Sequence, residues 1–299
     1  MKTKLCLGTA QFGLNYGITN LNGKPRIKEI DLIIENALKN NIFHFDTANA
    51  YGDSERILGN KLNNKHVKFI TKFNSGVKNS FSKEAISKLD KNFELTLKSL
   101  KTNNIDSLLL HDAKDMTKRN NHLLLNWLHR LRSKGKVNRV GISIYEETDL
   151  ENIPLNEIEI VQMPVSIYDQ RLLKNSFINK LLENNISIHV RSIFLQGLLL
   201  QNSKKWPKHI NESFLNHHIS YEKELSSKSI NFMDAALSFI KNLKFPELVI
   251  FGVTNNSELK TIIESWNCKK SINNKLDFKS FKWDIKEDID PRSWRIKNF

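Results

Sequence analysis

No apolar run in this 299-residue sequence approaches the roughly 20 residues that a helix needs to cross a bilayer. A helical membrane protein is not expected. Cysteine is scarce: Cys6 and Cys268 are the only two. Neither shows metal-ligand spacing, and the adjacent His217 and His218 would point apart on most backbones. No metal site is expected, and a reduced, cytoplasmic setting is the simpler reading. The opening residues, MKTKLCLGTAQFG, hold two lysines but no long apolar core, so no signal peptide is expected. No Pro-, Gly- or Ser-rich linker breaks the chain, and its composition does not shift. One domain spanning residues 1–299 follows. The glycine spacing of GTAQFG is wrong for the dinucleotide fingerprint of a doubly wound sheet.

Positive charge is plentiful. Forty-six Lys and Arg against 32 Asp and Glu give a formal net charge of +14. The lysines are scattered among Asn and Ile, a composition that an AT-rich genome would produce. No interleaving of aromatic and basic residues marks a nucleic-acid surface. No nucleic-acid or membrane partner is expected. The summed field would instead attract an anionic cofactor or substrate.

Short apolar runs alternate with amphipathic segments along nearly the whole chain. The runs lie at 4–10, 42–48, 67–73, 105–111, 137–143, 158–164, 186–192 and 247–253. Between them, RIKEIDLIIENALKN, SKEAISKLDKNFELTLKSL and NHLLLNWLHRLRSK repeat apolar residues at about i, i+3, i+4, i+7. Strand–helix alternation implies parallel strands joined by crossover helices. Eight such units are the arithmetic of an α/β fold of the (β/α)8 TIM barrel type, with a doubly wound sheet as the alternative. Residues 198–230 read as a long loop between the seventh strand and its helix, and long loops are commonly functional. The tail, 275–299, carries Phe278, Phe281, Trp283, Trp294 and Phe299 and is expected to dock on the barrel.

In a barrel, chemistry sits where strands end. The second strand ends at Asp46, and its loop presents Tyr51. The third ends at Lys72 and the fourth at His111. Alternation places His44 and Asp46 on one face, and Ser107, Leu109 and His111 on another shared face. Each residue alone has a bland explanation: a turn or cap aspartate, a packed tyrosine, a solvated lysine, a core histidine. His44 is read as structural. Their joint placement at successive strand ends suggests carbonyl chemistry. A phenol with a pKa of about 10 would be made more acidic by the Lys72 ammonium, which Asp46 would keep charged. His111 would orient the substrate oxygen. Such a proton donor typically contributes about 10²–10⁴-fold.

DTANAYGDSERILG, with GTAQFG before it, TKF at 71–73 and LLLHD at 108–112, resembles the aldo/keto reductase family from Gly8 to about Ser265. The resemblance implies a barrel that binds a nicotinamide cofactor, NADP(H) or NAD(H), across its mouth. It implies Tyr51 as general acid, tuned by Lys72 and Asp46, with His111 orienting the carbonyl. Ser143 and Gln162 match positions that hold the nicotinamide carboxamide. Ile144 stands where many relatives have Asn. Arg191 stands where relatives often have a Tyr stacked on the nicotinamide. Ser192, Phe194, Gln196 and Gly197 would line the pyrophosphate. In FGVTNNSEL, Gly252, Thr254 and Asn255 would receive a phosphate at a helix N-terminus. Glu258 takes the place where NADP-preferring relatives often carry an Arg for the 2′-phosphate.

The expected function is therefore NAD(P)H-dependent reduction of an aldehyde or ketone. GTAQFGLNYGI and RSIFLQGLLL resemble a bacterial branch associated with sugar metabolism, which favours a sugar-derived carbonyl. The alternative is a regulatory, nicotinamide-binding subunit of the same family without turnover. No motif specifies an oligomeric state.

Overall fold

The computed structural model describes residues 3–63, 65–268, 272 and 275–294. Eight parallel strands form a closed barrel in sequence order. They are β1 (Lys4–Gly8), β2 (His44–Asp46), β3 (Lys68–Phe73), β4 (Ile105–Leu110), β5 (Val137–Ser143), β6 (Ile160–Pro164), β7 (Ser187–Arg191) and β8 (Leu248–Gly252). Closure comes from β1 pairing with β8, with Leu5 opposite Val249.

Most strand positions are apolar on both sides because both sides are covered. One set of side chains fills the barrel interior: Cys6, Ile70, Leu109, Ile160, Leu248 and Ile250. The other set, including Phe45, Leu108, Ile142, Val161 and Val190, packs outward against the helices. Gly141 keeps the interior closed without overfilling it. A Cβ there would lie 2.4 Å from the Ile160 carbonyl oxygen and 2.6 Å from Leu109.

The crossover helices follow the apolar periodicity. Helix Ile27–Lys39 buries Ile30, Ile33, Ile34 and Ala37, one stripe at helical spacing. Helix Lys83–Leu100 starts where the Ser82 side chain accepts a hydrogen bond from the Ala85 amide, satisfying one of the orphan donors of the first turn. Its Phe93 packs edge-on to Phe73 and Trp127.

Two segments depart from the expected pattern. The β5-to-β6 crossover contains no α-helix, only the 3-10 turns Glu147–Leu150 and Leu155–Glu157. Pro154 interrupts it and lacks the N–H that a helix interior needs. Residues 198–230, expected as a loop, contain the helix Glu212–Ser227. Asn211 caps this helix by accepting from the Ser213 amide at 2.9 Å. Its buried stripe is Phe214, His218, Tyr221 and Leu225. This stripe is aromatic and polar rather than aliphatic, so its period is easily missed. The β7-to-β8 crossover proper is helix Phe232–Leu243.

The tail docks as its aromatics suggest. Phe281 is buried, and Phe278, Trp283 and Trp294 pack on the core. Phe299 lies outside the described residues. The Trp283 amide donates to the Tyr168 carbonyl at 3.0 Å.

His218 lies inside this aromatic packing, stacked on Trp206 with ring centroids 4.2 Å apart. Its Nδ1 is 2.6 Å from the Tyr168 hydroxyl and its Nε2 is 2.8 Å from the Gln201 carbonyl. Burial lowers its pKa to about 4, and burial lowers that of His44 to about 4 as well. The neutral ring therefore donates from Nε2 and accepts at Nδ1. In the unfolded chain both histidines titrate near 6.5 (about the free value). Between that pH and about 4, the unfolded chain binds protons that the folded chain refuses. Stability therefore falls as pH drops through this window. His218→Gln should flatten the fall in urea midpoint between pH 7 and about pH 4.5; an undiminished slope would remove His218 from the effect.

Candidate active site

The carboxyl ends of the strands surround a cavity of about 520 Å³, within the usual range for small-molecule sites. Asp46, Tyr51, Lys72, His111, Ser143, Gln162 and Arg191 all line it. So do Ser192, Phe194, Gln196, Gly197, Gly252, Thr254 and Glu258. Of the proposed catalytic and cofactor-binding residues, Asn255 alone is not part of the lining.

At the base of the cavity, Lys72 Nζ lies 2.5 Å from Asp46 Oδ1 and donates to the Thr47 carbonyl at 3.1 Å. Lys72 is 1 % exposed and Asp46 4 %. The second carboxylate oxygen of Asp46 accepts from Gln162 Nε2 at 2.8 Å. The β2 and β6 strands stand on opposite sides of the barrel, so this hydrogen bond spans its interior. The pairing of Asp46 with Gln162 was not foreseen from the sequence; residues far apart in the chain meet here only because the barrel closes.

The loop that carries Tyr51 rests on a buried polar network. Ser54 Oγ donates to the Thr9 carbonyl at 3.0 Å and accepts from Thr47 Oγ1 at 3.1 Å. Thr9 Oγ1 donates to the Asp46 carbonyl at 2.9 Å. Glu55 accepts from Thr71 at 2.7 Å and from Thr96 at 3.0 Å, and burial raises its pKa. Thr47, Ser54 and Glu55 of the DTANAYGDSE stretch are thus taken up by this buried network. The signal was in the sequence as three polar residues flanking the helix start at Ser54. Gly13 is required for the same loop: a Cβ there would stand 1.8 Å from the Tyr51 carbonyl oxygen.

Tyr51 and His111 sit edge to face, with ring centroids 6.3 Å apart. Lys72 Nζ is 5.4 Å from the Tyr51 ring centroid. Burial pushes the Tyr51 phenol well above its ordinary pKa; the Asp46 carboxylate adds to this and Arg191 opposes it. The expected lowering by Lys72 is therefore corrected. Desolvation wins, and the Asp46 carboxylate reinforces it. At neutral pH the phenol keeps its proton. Burial, followed by the charges of Lys72 and Arg191, lowers the His111 pKa to about 4, so its imidazole is neutral. The arrangement presents two uncharged hydrogen-bond donors above a cancelled ion pair.

The Aldo/keto reductase family profile matches residues 4–278. The chain belongs to the aldo/keto reductase family. No curated protein matches the sequence. Among solved structures, the aldo-keto reductase AKR11C1 from Bacillus halodurans, in its holo form, superposes with a TM-score of 0.73 at 18% identity. That match covers 93% of this chain and 91% of the other. The glycerol dehydrogenase AKR11B4 from Gluconobacter oxydans gives 0.67 at 18% identity, covering 99% and 94%. At such identity the likeness is one of fold. Family membership makes this aldo/keto reductase an oxidoreductase of small carbonyl compounds, and the family uses nicotinamide cofactors.

The remaining lining divides this reductase's cavity into zones. Gln162 Oε1 is buried and has no hydrogen-bond partner among the described residues, and Ser143 is opposite Gln162 in the β5–β6 register. Gln196 is occupied by the β1 loop: Oε1 accepts from the Ile18 amide at 3.0 Å, and its carbonyl accepts from Thr19 Oγ1 at 3.0 Å. It bridges the cavity's two rims. Sequence reasoning missed that loop's Tyr16 and Thr19, as it missed Tyr145; all three line the cavity. At the far end, Glu258 accepts from the Thr254 amide at 2.7 Å, from its hydroxyl at 2.8 Å and from Asn255 Nδ2 at 3.0 Å. Asn255 Oδ1 caps the helix by accepting from the Glu258 amide.

Breaking one member of a buried ion pair strands the other. Lys72→Met should cost about 3–5 kcal/mol of unfolding free energy. Adding Asp46→Asn should restore part of that loss in urea denaturation. Strictly additive costs would show that the two groups are not coupled.

Proposed function

We propose that this protein is an NAD(H)-preferring reductase of aldehydes or ketones, with Tyr51 as the general acid. The observation that carries the reading is the pairing of a protonated Tyr51 with a neutral His111 beside the buried Asp46–Lys72 pair, in one cavity. A bound dihydronicotinamide would supply the hydride to the carbonyl carbon. The residues present suit such a group. The orphaned Gln162 Oε1 can accept from a carboxamide N–H, and Ser143 adds a hydroxyl beside it. Ser192 and Phe194 continue the lining just after β7, and Gly252 continues it at the end of β8.

His111 donates to the carbonyl oxygen and fixes its direction. Tyr51 delivers its proton to that oxygen as negative charge develops. The high pKa of the phenol is suited to this: it stays protonated at rest, and an alkoxide is basic enough to take its proton. Asp46 and Lys72 hold the floor beneath the phenol in one geometry without adding net charge. Tyr51→Phe should lower turnover by about 10²–10⁴-fold and leave dinucleotide affinity within about twofold. Unchanged steady-state turnover would remove Tyr51 from the role.

The preference for NAD(H) rests on Glu258. By the family resemblance, this segment faces the adenosine ribose. Here a carboxylate already takes the Thr254 amide and hydroxyl. A ribose phosphate would meet that anion and lose those donors. Glu258→Arg should move the ratio of NADPH to NADH affinity towards NADPH by about tenfold or more; fluorescence titration with an unmoved ratio would place Glu258 away from the ribose. A hydroxylated, sugar-derived carbonyl suits the polar rim formed by Gln11, Tyr16, Thr19 and Asn20. A panel of aldoses against apolar aldehydes, followed by NADH consumption, tests that choice.

A further inference from the structure

Arg191 is an unusual lining residue. Its Nη2 donates to the Ile144 carbonyl at 3.0 Å and its Nη1 to Ser192 Oγ at 3.3 Å. Among the described residues no carboxylate pairs with it, so its charge enters the cavity uncompensated. One face of its guanidinium rests on the Tyr145 ring, 4.1 Å from the centroid. On that same ring sits Arg292 of the tail, at 3.5 Å. Arg292 is held in turn by Asp290, with contacts of 3.0 Å and 2.6 Å, and Asp290 is 1 % exposed. Asp149 fixes the Tyr145 backbone by accepting from its amide at 2.8 Å. The order is therefore a buried carboxylate, a tail arginine, a tyrosine ring and the cavity arginine.

We propose that Arg191, positioned by Tyr145 and the tail residue Arg292, makes this protein bind reduced dinucleotide in preference to oxidised dinucleotide. The inference rests on the reading of the cavity as a nicotinamide site. Arg191 ends β7, the neighbour of the strand that carries Gln162. A ring whose carboxamide meets Gln162 and Ser143 therefore has Arg191 close by. A guanidinium cannot give up its proton in a protein. Beside a neutral dihydronicotinamide its charge costs nothing and its plane can stack. Beside a cationic pyridinium it repels, and among the described residues no carboxylate offsets it. The reduced form is thereby taken up preferentially, and the oxidised form leaves more readily. The Asp290 partner cancels the charge of Arg292, so Arg292 acts by holding Tyr145 and, through it, Arg191.

The test is fluorescence and calorimetric titration of the full-length protein with NADH and with NAD⁺, without substrate. The wild type should bind NADH at least about tenfold more tightly than NAD⁺. Arg191→Lys keeps the charge and should retain most of that ratio. Arg191→Met should bring the ratio close to one, with NAD⁺ losing less affinity than NADH or gaining some. Arg292→Gln should lower the ratio by a smaller factor. A wild-type ratio near one, or an Arg191→Met variant that weakens both forms equally, overturns the proposal while leaving the nicotinamide site standing. An Arg292→Gln variant with the wild-type ratio removes the tail from it. Failure of the wild type to bind either dinucleotide overturns both this inference and the proposed function.

Discussion

The Asp46–Lys72 pair organises everything at the mouth of this barrel. Two opposite charges in near-complete burial are tolerable only when each is fully bonded. Lys72 is satisfied by a carboxylate and a carbonyl, and Asp46 by the ammonium and by Gln162. Because Gln162 comes from the opposite wall, the carboxylate pins strands β2, β3 and β6 together at one level. Below it lies the aliphatic plug of Ile70, Leu109 and Ile160; above it lies the cavity. The boundary between core and site is a single carboxylate.

That boundary decides how the groups above it behave. A net charge at the base would pull the phenol or the imidazole towards ionisation. The cancelled pair leaves burial as the dominant influence on both Tyr51 and His111. Both remain neutral donors. The hydroxyl network of Thr9, Thr47 and Ser54 and the buried Glu55 then hold the Tyr51 loop without placing another free charge near it. A glycine at 13 lets two loops approach more closely than any side chain would allow.

Much of this was legible in the chain itself. Continuous apolar runs and helical periodicity marked all eight strands, because a sheet covered on both faces needs both sides apolar. Asp46, Lys72 and His111 were visible because they break such runs at their carboxyl ends. Helix Glu212–Ser227 was not, since its buried stripe uses His218 and Tyr221, which a hydropathy pattern reads as polar or mixed. The Asp46–Gln162 bond and the Arg191–Tyr145–Arg292 stack join residues far apart in the chain, and no local spacing announces such meetings. The raised pKa of Tyr51 was misjudged for a related reason. Lys72 in isolation is a cation, but in place it is half of a neutral pair.

The helix missing between β5 and β6 has a further consequence. The tail lies against that side of the mouth, where Lys286 pairs with Glu146 and Arg292 meets Tyr145. A growing chain would reach Lys286 and Arg292 only after all eight strands had been made. The barrel's strands would already have left the ribosome while the rim beside β5 still lacked its brace. Competence to grip a ligand would then arrive as a discrete late event, separate from closure of the cylinder.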